Sequence, residues 1–242
     1  MNKLINKTFK NLLLNGKTSN NIYWQSIKID NRNPLIEIKN LNLEFNNIKN
    51  PINEFNPDLP WAEDHFLERI NGKPINPGEQ YKNWPYYKNM DNDNLFRSSG
   101  IFSHNYMERY WCSGRKGIRF EYGDLNDIIN KLKQNPYSRQ AFLSVWHPED
   151  QSNHLERVPC TIGYWFNADN DRLNITYLIR SCDAIRHFKN DLYMTFRLLQ
   201  FVSEKINFKT GNMNIWIGSF HCFKSDLYTL KKQIKDVRIY NK

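Results

Sequence analysis

Residues 180–191 read RSCDAIRHFKND, and the fold of the chain turns on where they sit. They follow RLNITYLI (172–179), which alternates polar and apolar residues as a half-buried strand does. They lead into LYMTFRLLQFV (192–202), an apolar run that reads as a buried helix. Between these two elements stand three basic residues, two aspartates, a histidine and an asparagine. A solvated loop would explain that composition, and so would a polar site at a strand-to-helix junction.

Working outward, NPLIEIKNLNLEF (33–45) has strand-like alternation, and NPINEFNPDLP (50–60) carries the punctuation of a loop. WAEDHFLERI (61–70) reads as a short helix, with Pro60 in its first turn and Asp58 as cap. NGKPINPGEQYKNWPYY (71–87) is a loop with aromatics. GDLNDIINKLKQNP (123–136) has apolar residues at helical spacing and stops at Pro136. RQAFLSVWHP (139–148), CTIGYWFNA (160–168) and MNIWIGSFHCF (213–223) read as strands, and residues 190–205 as the longest helix. Residues 1–33 are polar and match no clear element. Strands with helices between them predict one mixed α/β (α+β) domain over residues 1–242.

The chain has 242 residues, 40% hydrophobic and 14% aromatic, enough for a packed interior. Its formal charge is +9, yet no block of five like charges occurs, so a nucleic-acid-binding tail is not indicated. Four cysteines, Cys112, Cys160, Cys182 and Cys222, form no C-x-x-C pair, which argues against zinc or another bound metal. MNKLINKTFKNLLLNGK has too short an apolar stretch for a signal peptide or membrane span. A cytoplasmic protein with reduced thiols and no membrane partner is expected.

Two residues stand out by placement. Glu63 shares the i, i+3, i+4, i+7 face of Phe66, Leu67 and Ile70, so its carboxyl falls on an apolar face. Such a group can have a raised pKa and pass protons, or can simply favour the helix dipole. Cys160 follows a proline at the start of a strand, where a thiol can reach a cleft or can pack as a small core residue.

NPYSRQAFLSVWHPED (135–150), VPCTIGYWF (158–166), LIRSCDAIRHFKND (178–191) and IWIGSFHCF (215–223) resemble, in order and spacing, the signature blocks of the thymidylate synthase family. WAEDHFLER falls where that family keeps a catalytic glutamate. The resemblance covers roughly residues 56–235, the first fifty being weakly matched. It implies a thymidylate synthase-like fold, a mixed sheet flanked by helices, and a homodimer. Cys160 would be the nucleophile towards C6 of a pyrimidine nucleoside monophosphate, and 5,10-methylenetetrahydrofolate the one-carbon donor. Arg180 and Ser181 would grip the phosphate, with Arg139 reaching the partner subunit's phosphate. Asp183 and Trp84 would hold the folate, Glu63 and Tyr106 would serve the chemistry, and His221 would bind the sugar.

The position eight residues after Asp183 reads the base in that family. Asp191 stands there, where thymidylate synthases carry Asn, and the family's cytidylate hydroxymethylases make that change. A carboxyl can accept from cytosine N4–H and share a proton with N3. A one-residue shift would put Asn190 there and restore a uracil reader. Gln140 replaces the second arginine of an Arg-Arg pair, and Phe223 replaces a sugar-binding tyrosine. The family's N-terminal phosphate arginine has no clear counterpart beyond Arg32.

The expected activity is therefore hydroxymethylation of CMP or dCMP. C5-methylation of dUMP or UMP is the alternative within the family, and a non-catalytic basic nucleotide-binding module the alternative outside it. The remaining histidines, among them His65, His104, His147, His154 and His187, receive no role, and Cys112, Cys182 and Cys222 are expected to be structural thiols. Trp61, Trp111 and Trp165 are expected to serve packing.

Overall fold

The computed structural model describes residues 2–24, 27–86, 97–98, 101–113, 121–151 and 157–234; His154 lies outside them. In chain order the elements are α1 (Lys3–Asn15), β1 (Lys17–Thr18), β2 (Tyr23–Trp24), β3 (Ile27–Lys28), β4 (Leu35–Phe45), α2 (Pro51–Phe55), α3 (Trp61–Arg69), β5 (Arg97–Ser98) and β6 (Ile101–Phe102). They continue with α4 (Tyr106–Tyr110), α5 (Leu125–Gln134), β7 (Ala141–Ser144), β8 (Thr161–Asp169), β9 (Arg172–Asp183), α6 (Phe188–Lys205), β10 (Lys209–Phe223) and α7 (Leu227–Gln233).

A six-stranded sheet runs β1-β4-β10-β9-β8-β7. Among these strands only β9 and β10 pair in parallel; every other neighbouring pair is antiparallel. Two parallel strands need a long crossover, and α6 supplies it. Its buried side chains, among them Leu192, Phe196, Leu199 and Val202, join a contiguous core that runs from Ile5 to Ile234. The strand-to-helix junction read from RSCDAIRHFKND is therefore real and lies beside the middle of the sheet.

Three expectations need correction. Residues 50–60 are not all loop: Asn50 caps α2 through its side chain, and Pro51 takes the first helical position, which needs no amide hydrogen bond. The N-terminal segment is not featureless. Asn2 caps α1, which buries Ile5, Thr8, Phe9 and Leu12 at helical spacing; the intervening lysines and asparagines mask that stripe. Asp58 does not cap α3, whose N-terminus has no side-chain cap. Asp58 instead forms a reciprocal pair with Asn190 of α6: its amide donates to Oδ1 and its Oδ2 accepts from Nδ2, both at 2.8 Å.

The sheet changes phase in its middle. Met213, Ile215 and Ile217 of β10 enter the core, but beyond Gly218 it is Phe220 and Cys222 that do so. Gly218 has no room for a side chain, because a Cβ there would meet the Arg180 carbonyl oxygen at 2.7 Å. Near it on β4, Asn40 takes φ 55°, the left-handed region that Asn tolerates. This kink releases Ser219 and His221 from the core side and turns them into a cavity. Among the described residues no helix is long and apolar enough to cross a membrane.

Candidate active site

A cavity of about 790 Å³ lies between the kinked strands, the start of α6 and α3, within the range of small-molecule sites. Cys160, Tyr106, Arg180, Ser181, Asn190, Asp191, His221, Asp183 and Trp84 all line it, so nine residues singled out in the sequence meet in one place. Glu63, Arg139, Phe223 and Arg32 do not line it.

Cys160 sits just before β8, half-buried. Arg180 holds the segment before it: Nε donates to the Pro159 carbonyl and Nη2 to that of Val158, each at 3.0 Å. The Arg180 amide bonds the Cys160 carbonyl at 2.9 Å. Arg180 thus positions the thiol before it meets any ligand. Burial pushes the Cys160 thiol above its ordinary range, against the pull of Arg180 and Arg157 and with the push of Asp191 and Asp183. An arriving anion on those arginines would push further the same way.

At the start of α6 the two candidate base readers part company. Both polar atoms of the Asn190 amide are bound to Asp58. Asp191 makes no ion pair among the described residues; its side chain meets the Cys182 thiol, 3.8 Å from Oδ2. Burial raises its carboxyl to about 7, with Arg69 pulling down and Asp183 pushing up. It can give or take a proton at neutral pH. Cys182, expected to be a structural thiol, is therefore a neighbour of the site.

Asp183 is buried at the end of β9. Its Oδ1 accepts from the amides of Ile185 and Arg186, both at 2.9 Å, and Oδ2 accepts from the Arg186 guanidinium at 3.1 Å. Arg186 also pairs with Asp226. Trp84 stacks on His187 with ring centroids 4.9 Å apart and planes 12° apart, and its Nε1 is buried without a partner among the described residues. Tyr106 reaches Thr161, 3.0 Å between oxygens, and Thr161 reaches Tyr177 at 2.9 Å.

Glu63 is engaged by side chains of α6. Arg197 grips it with Nε at 3.0 Å and Nη2 at 2.9 Å, and the Tyr193 hydroxyl donates at 2.8 Å. Burial would raise this carboxyl, but those donors together hold it below its ordinary range. It clasps α3 to α6, away from the cavity. The face of α3 that does enter the cavity is Trp61, His65 and Arg69. Their i, i+4, i+8 spacing is legible in the sequence, but nothing there shows that this face meets a cavity rather than the core. Trp61 stacks on His65 at 5.2 Å. Arg69 Nε lies 3.2 Å from His65 Nε2, and His65 Nδ1 lies 3.4 Å from Glu68. Because Arg69 can only donate, Nε2 is the acceptor and the proton sits on Nδ1. Burial and Arg69 lower His65 to about 4, so the ring is neutral. Its partner Arg69 lies 4.0 Å over the Tyr106 ring and is the cation that acts on Asp191.

Arg139 is exposed just before β7, with its carbonyl accepting from Trp165 Nε1 at 3.1 Å. Phe223 lies edge-on to Trp24 at 5.5 Å. Arg32 is exposed and paired with Asp30. Two cavity cations lie outside the family motifs: Arg157, three residues before the nucleophile, and Lys39, on a strand whose polar positions resemble a solvated face.

Fold and site define an α/β protein with a small-molecule-sized cavity that a half-buried cysteine lines. The chain belongs to the thymidylate synthase family, whose model matches residues 75–239. It is 28% identical over 137 residues to a putative thymidylate synthase of Methanococcoides burtonii, covering 57% of this chain and 60% of that protein. It is 30% identical over 110 residues to one of Methanosarcina barkeri, covering 46% and 50%. With the thymidylate synthase of Malacoplasma penetrans the identity is 25% over 163 residues, 65% of this chain and 56% of the other. The matches thus span between half and three fifths of those relatives' lengths.

Proposed function

We propose that this chain is a folate-dependent 5-hydroxymethylase of cytidine nucleotides, CMP or dCMP. One observation supports the choice of base: Asp191 lines the cavity with no ion pair among the described residues and only the Cys182 thiol beside it, while both polar atoms of the Asn190 amide are held by Asp58. The amide that would read uracil is fixed in orientation by Asp58, and the group beside it is a carboxyl whose pKa burial raises to about 7. With cytosine, one carboxyl oxygen accepts from N4–H while the other shares a proton with N3. With uracil, the same carboxyl must be protonated to donate to O4, a far weaker base than cytosine N3. The cytosine complex therefore keeps its proton to higher pH, and selectivity for cytosine rises as pH rises above about 7.

Cys160 would add to C6 of the base, making C5 nucleophilic. Methylenetetrahydrofolate supplies a one-carbon unit at the oxidation level of formaldehyde. The cavity suits a flat, hydrogen-bonding heterocycle: Trp84 offers a buried indole N–H without a partner among the described residues and a stacked wall with His187, and Asp183 brings carboxyl oxygens to the same cavity. Arg180, Ser181 and Lys39 would take the phosphate. With Glu63 committed to Arg197, water and protons at C5 fall to Asp191, Tyr106 and the Arg69 guanidinium held by His65. The protein would act as a homodimer, with exposed Arg139 reaching the partner's phosphate and Gln140 adding no second cation.

Methylation of a uridine nucleotide is the second reading, favoured by the names of the relatives and by the ability of a protonated Asp191 to pair with uracil. Incubation of the protein with methylenetetrahydrofolate and each of CMP, dCMP, UMP and dUMP, with products weighed by mass spectrometry, separates the two. A hydroxymethylcytidine nucleotide supports the proposal; a methylated uridine nucleotide overturns it.

A further inference from the structure

The kink in the sheet sets three strands side by side with one face in the cavity. Register pairs His221 of β10 with Glu37 of β4 on one side and with Asp183 of β9 on the other. One pleat along, Ser219 lies between Lys39 and Ser181. All six residues line the cavity.

The first row holds an unfilled demand. His221 is only 4% exposed, and neither ring nitrogen has a hydrogen-bond partner among the described residues. Burial lowers its pKa, so the ring is neutral, with one N–H to donate and one lone pair to accept. A hydroxyl group is the ligand chemistry that meets both. Beside it, Glu37 is an ionised carboxylate held low by hydrogen bonds from Ser219 and Ser19 and by Lys39, against the upward push of burial. Ser219 Oγ donates to its Oε2 at 2.6 Å, and Lys39 Nζ lies 3.5 Å from Oε1. A carboxylate has about four lone-pair sites, so room for a further donor remains. Residues directly opposed across antiparallel strands have Cβ atoms about 5 Å apart, close enough for both side chains to reach hydroxyls on adjacent carbons.

We infer that Glu37 and His221 form a reader of a vicinal diol, so that the nucleotide taken by this site is a ribonucleotide. The inference deepens the proposed function and rests on its placing of a nucleotide in this cavity. His221 takes one ribose hydroxyl, filling its unused donor and acceptor, and the Glu37 carboxylate accepts from the neighbouring one. Lys39 offsets the negative charge that Glu37 places near a phosphate. A deoxyribose leaves the carboxylate with no second hydroxyl to bind, and a polar site built for a hydroxyl discriminates strongly against the analogue that lacks it.

The test measures kcat/KM, and separately Kd by titration calorimetry, for CMP, dCMP, UMP and dUMP in the wild type and in Glu37→Gln. The wild type is expected to prefer the ribonucleotide by about tenfold or more for whichever base it accepts. Glu37→Gln is expected to bring that ratio close to one. A wild type that binds ribo and deoxy forms equally, or prefers the deoxy form, overturns the inference; so does a ribose preference that survives in Glu37→Gln. Should that variant fold poorly, Ser219→Ala, which removes the hydroxyl holding Glu37, is read by the same ratio. The sugar result is separable from the base result: UMP favoured over both CMP and dUMP would sink the hydroxymethylase proposal and leave the diol reader standing.

Discussion

The contact between α3 and α6 has two ends, and each holds a carboxyl with a different fate. At the outer end Glu63 is fully engaged by Arg197 and Tyr193 and is held below its ordinary pKa. At the inner end Asp191 is deeper, has no cation in contact among the described residues, and rises to about 7. Both carboxyls feel burial as an upward push; supplied donors decide the net direction. The well-partnered group is a clasp between helices. The one left poised in the cavity is the group suited to proton chemistry. Helical periodicity alone cannot tell them apart, because it shows that a carboxyl sits on an inner face but not what lies across from it.

The comparison can be broken first at the nucleophile, which the inner end serves. Cys160→Ser should abolish turnover while the protein still folds, since a hydroxyl is a far poorer nucleophile at neutral pH. Product formation by the variant, followed by mass spectrometry alongside thermal unfolding, would remove the covalent step from the account.

The second effect concerns the cost of the inner carboxyl. Asp191 has an ordinary pKa of 3.8 and a folded value of about 7, so the folded protein binds its proton more tightly than the unfolded chain. Its contribution favours the fold at pH below about 4 and is lost progressively as pH rises to about 7. Asp191→Asn does not titrate. The stability difference, variant minus wild type, should therefore grow in the variant's favour between pH 4 and 7 and level off above, by up to about 4 kcal/mol. Urea unfolding at a series of pH values checks this; a flat difference would mean the carboxyl is solvated or paired.

The outer end should behave oppositely and weakly. Glu63→Gln should cost about 0.5–1 kcal/mol of stability, discounted for the pair's partial exposure, and change kcat/KM by less than about threefold. A large loss of turnover with stability intact would return Glu63 to the chemistry. The smallest effect expected is that of Arg139→Ala, a several-fold rise in KM for the nucleotide with kcat kept, because an exposed cation adds grip rather than chemistry. Sedimentation of the wild type as a monomer, still active, would exclude a crossing arginine.

Much of the fold and of the candidate site is legible in the sequence. The strands β4, β8, β9 and β10 and the helices α3, α5 and α6 follow from alternation and helical spacing, while the meeting of Cys160, Arg180, Asp183, Asp191 and His221 is what the family resemblance implies. What escapes such reading does so for physical reasons. Helix α1 hides its apolar stripe among lysines and asparagines that are neutral on a solvated face. Asp58 resembles a cap because it stands near a helix start, yet its partner lies 132 residues away in sequence. Glu37 and Lys39 resemble the solvent side of a strand, and only the kink at Gly218 and Asn40 turns that side into a cavity. Arg69 and His65 brace each other above Tyr106, a contact between α3 and α4 that helical spacing does not encode.

The most direct test of the account is the base that Asp191 selects. The ratio of kcat/KM for CMP to that for UMP, and for dCMP to dUMP, should be measured at pH 7 and 8 in the wild type and in Asp191→Asn. The account predicts that the wild type favours the cytidine nucleotide, more so at the higher pH, and that the variant moves the ratio towards uridine by roughly ten- to a hundredfold with no remaining pH trend. A wild type that already prefers uridine nucleotides, or a variant whose ratios match the wild type's, would contradict it.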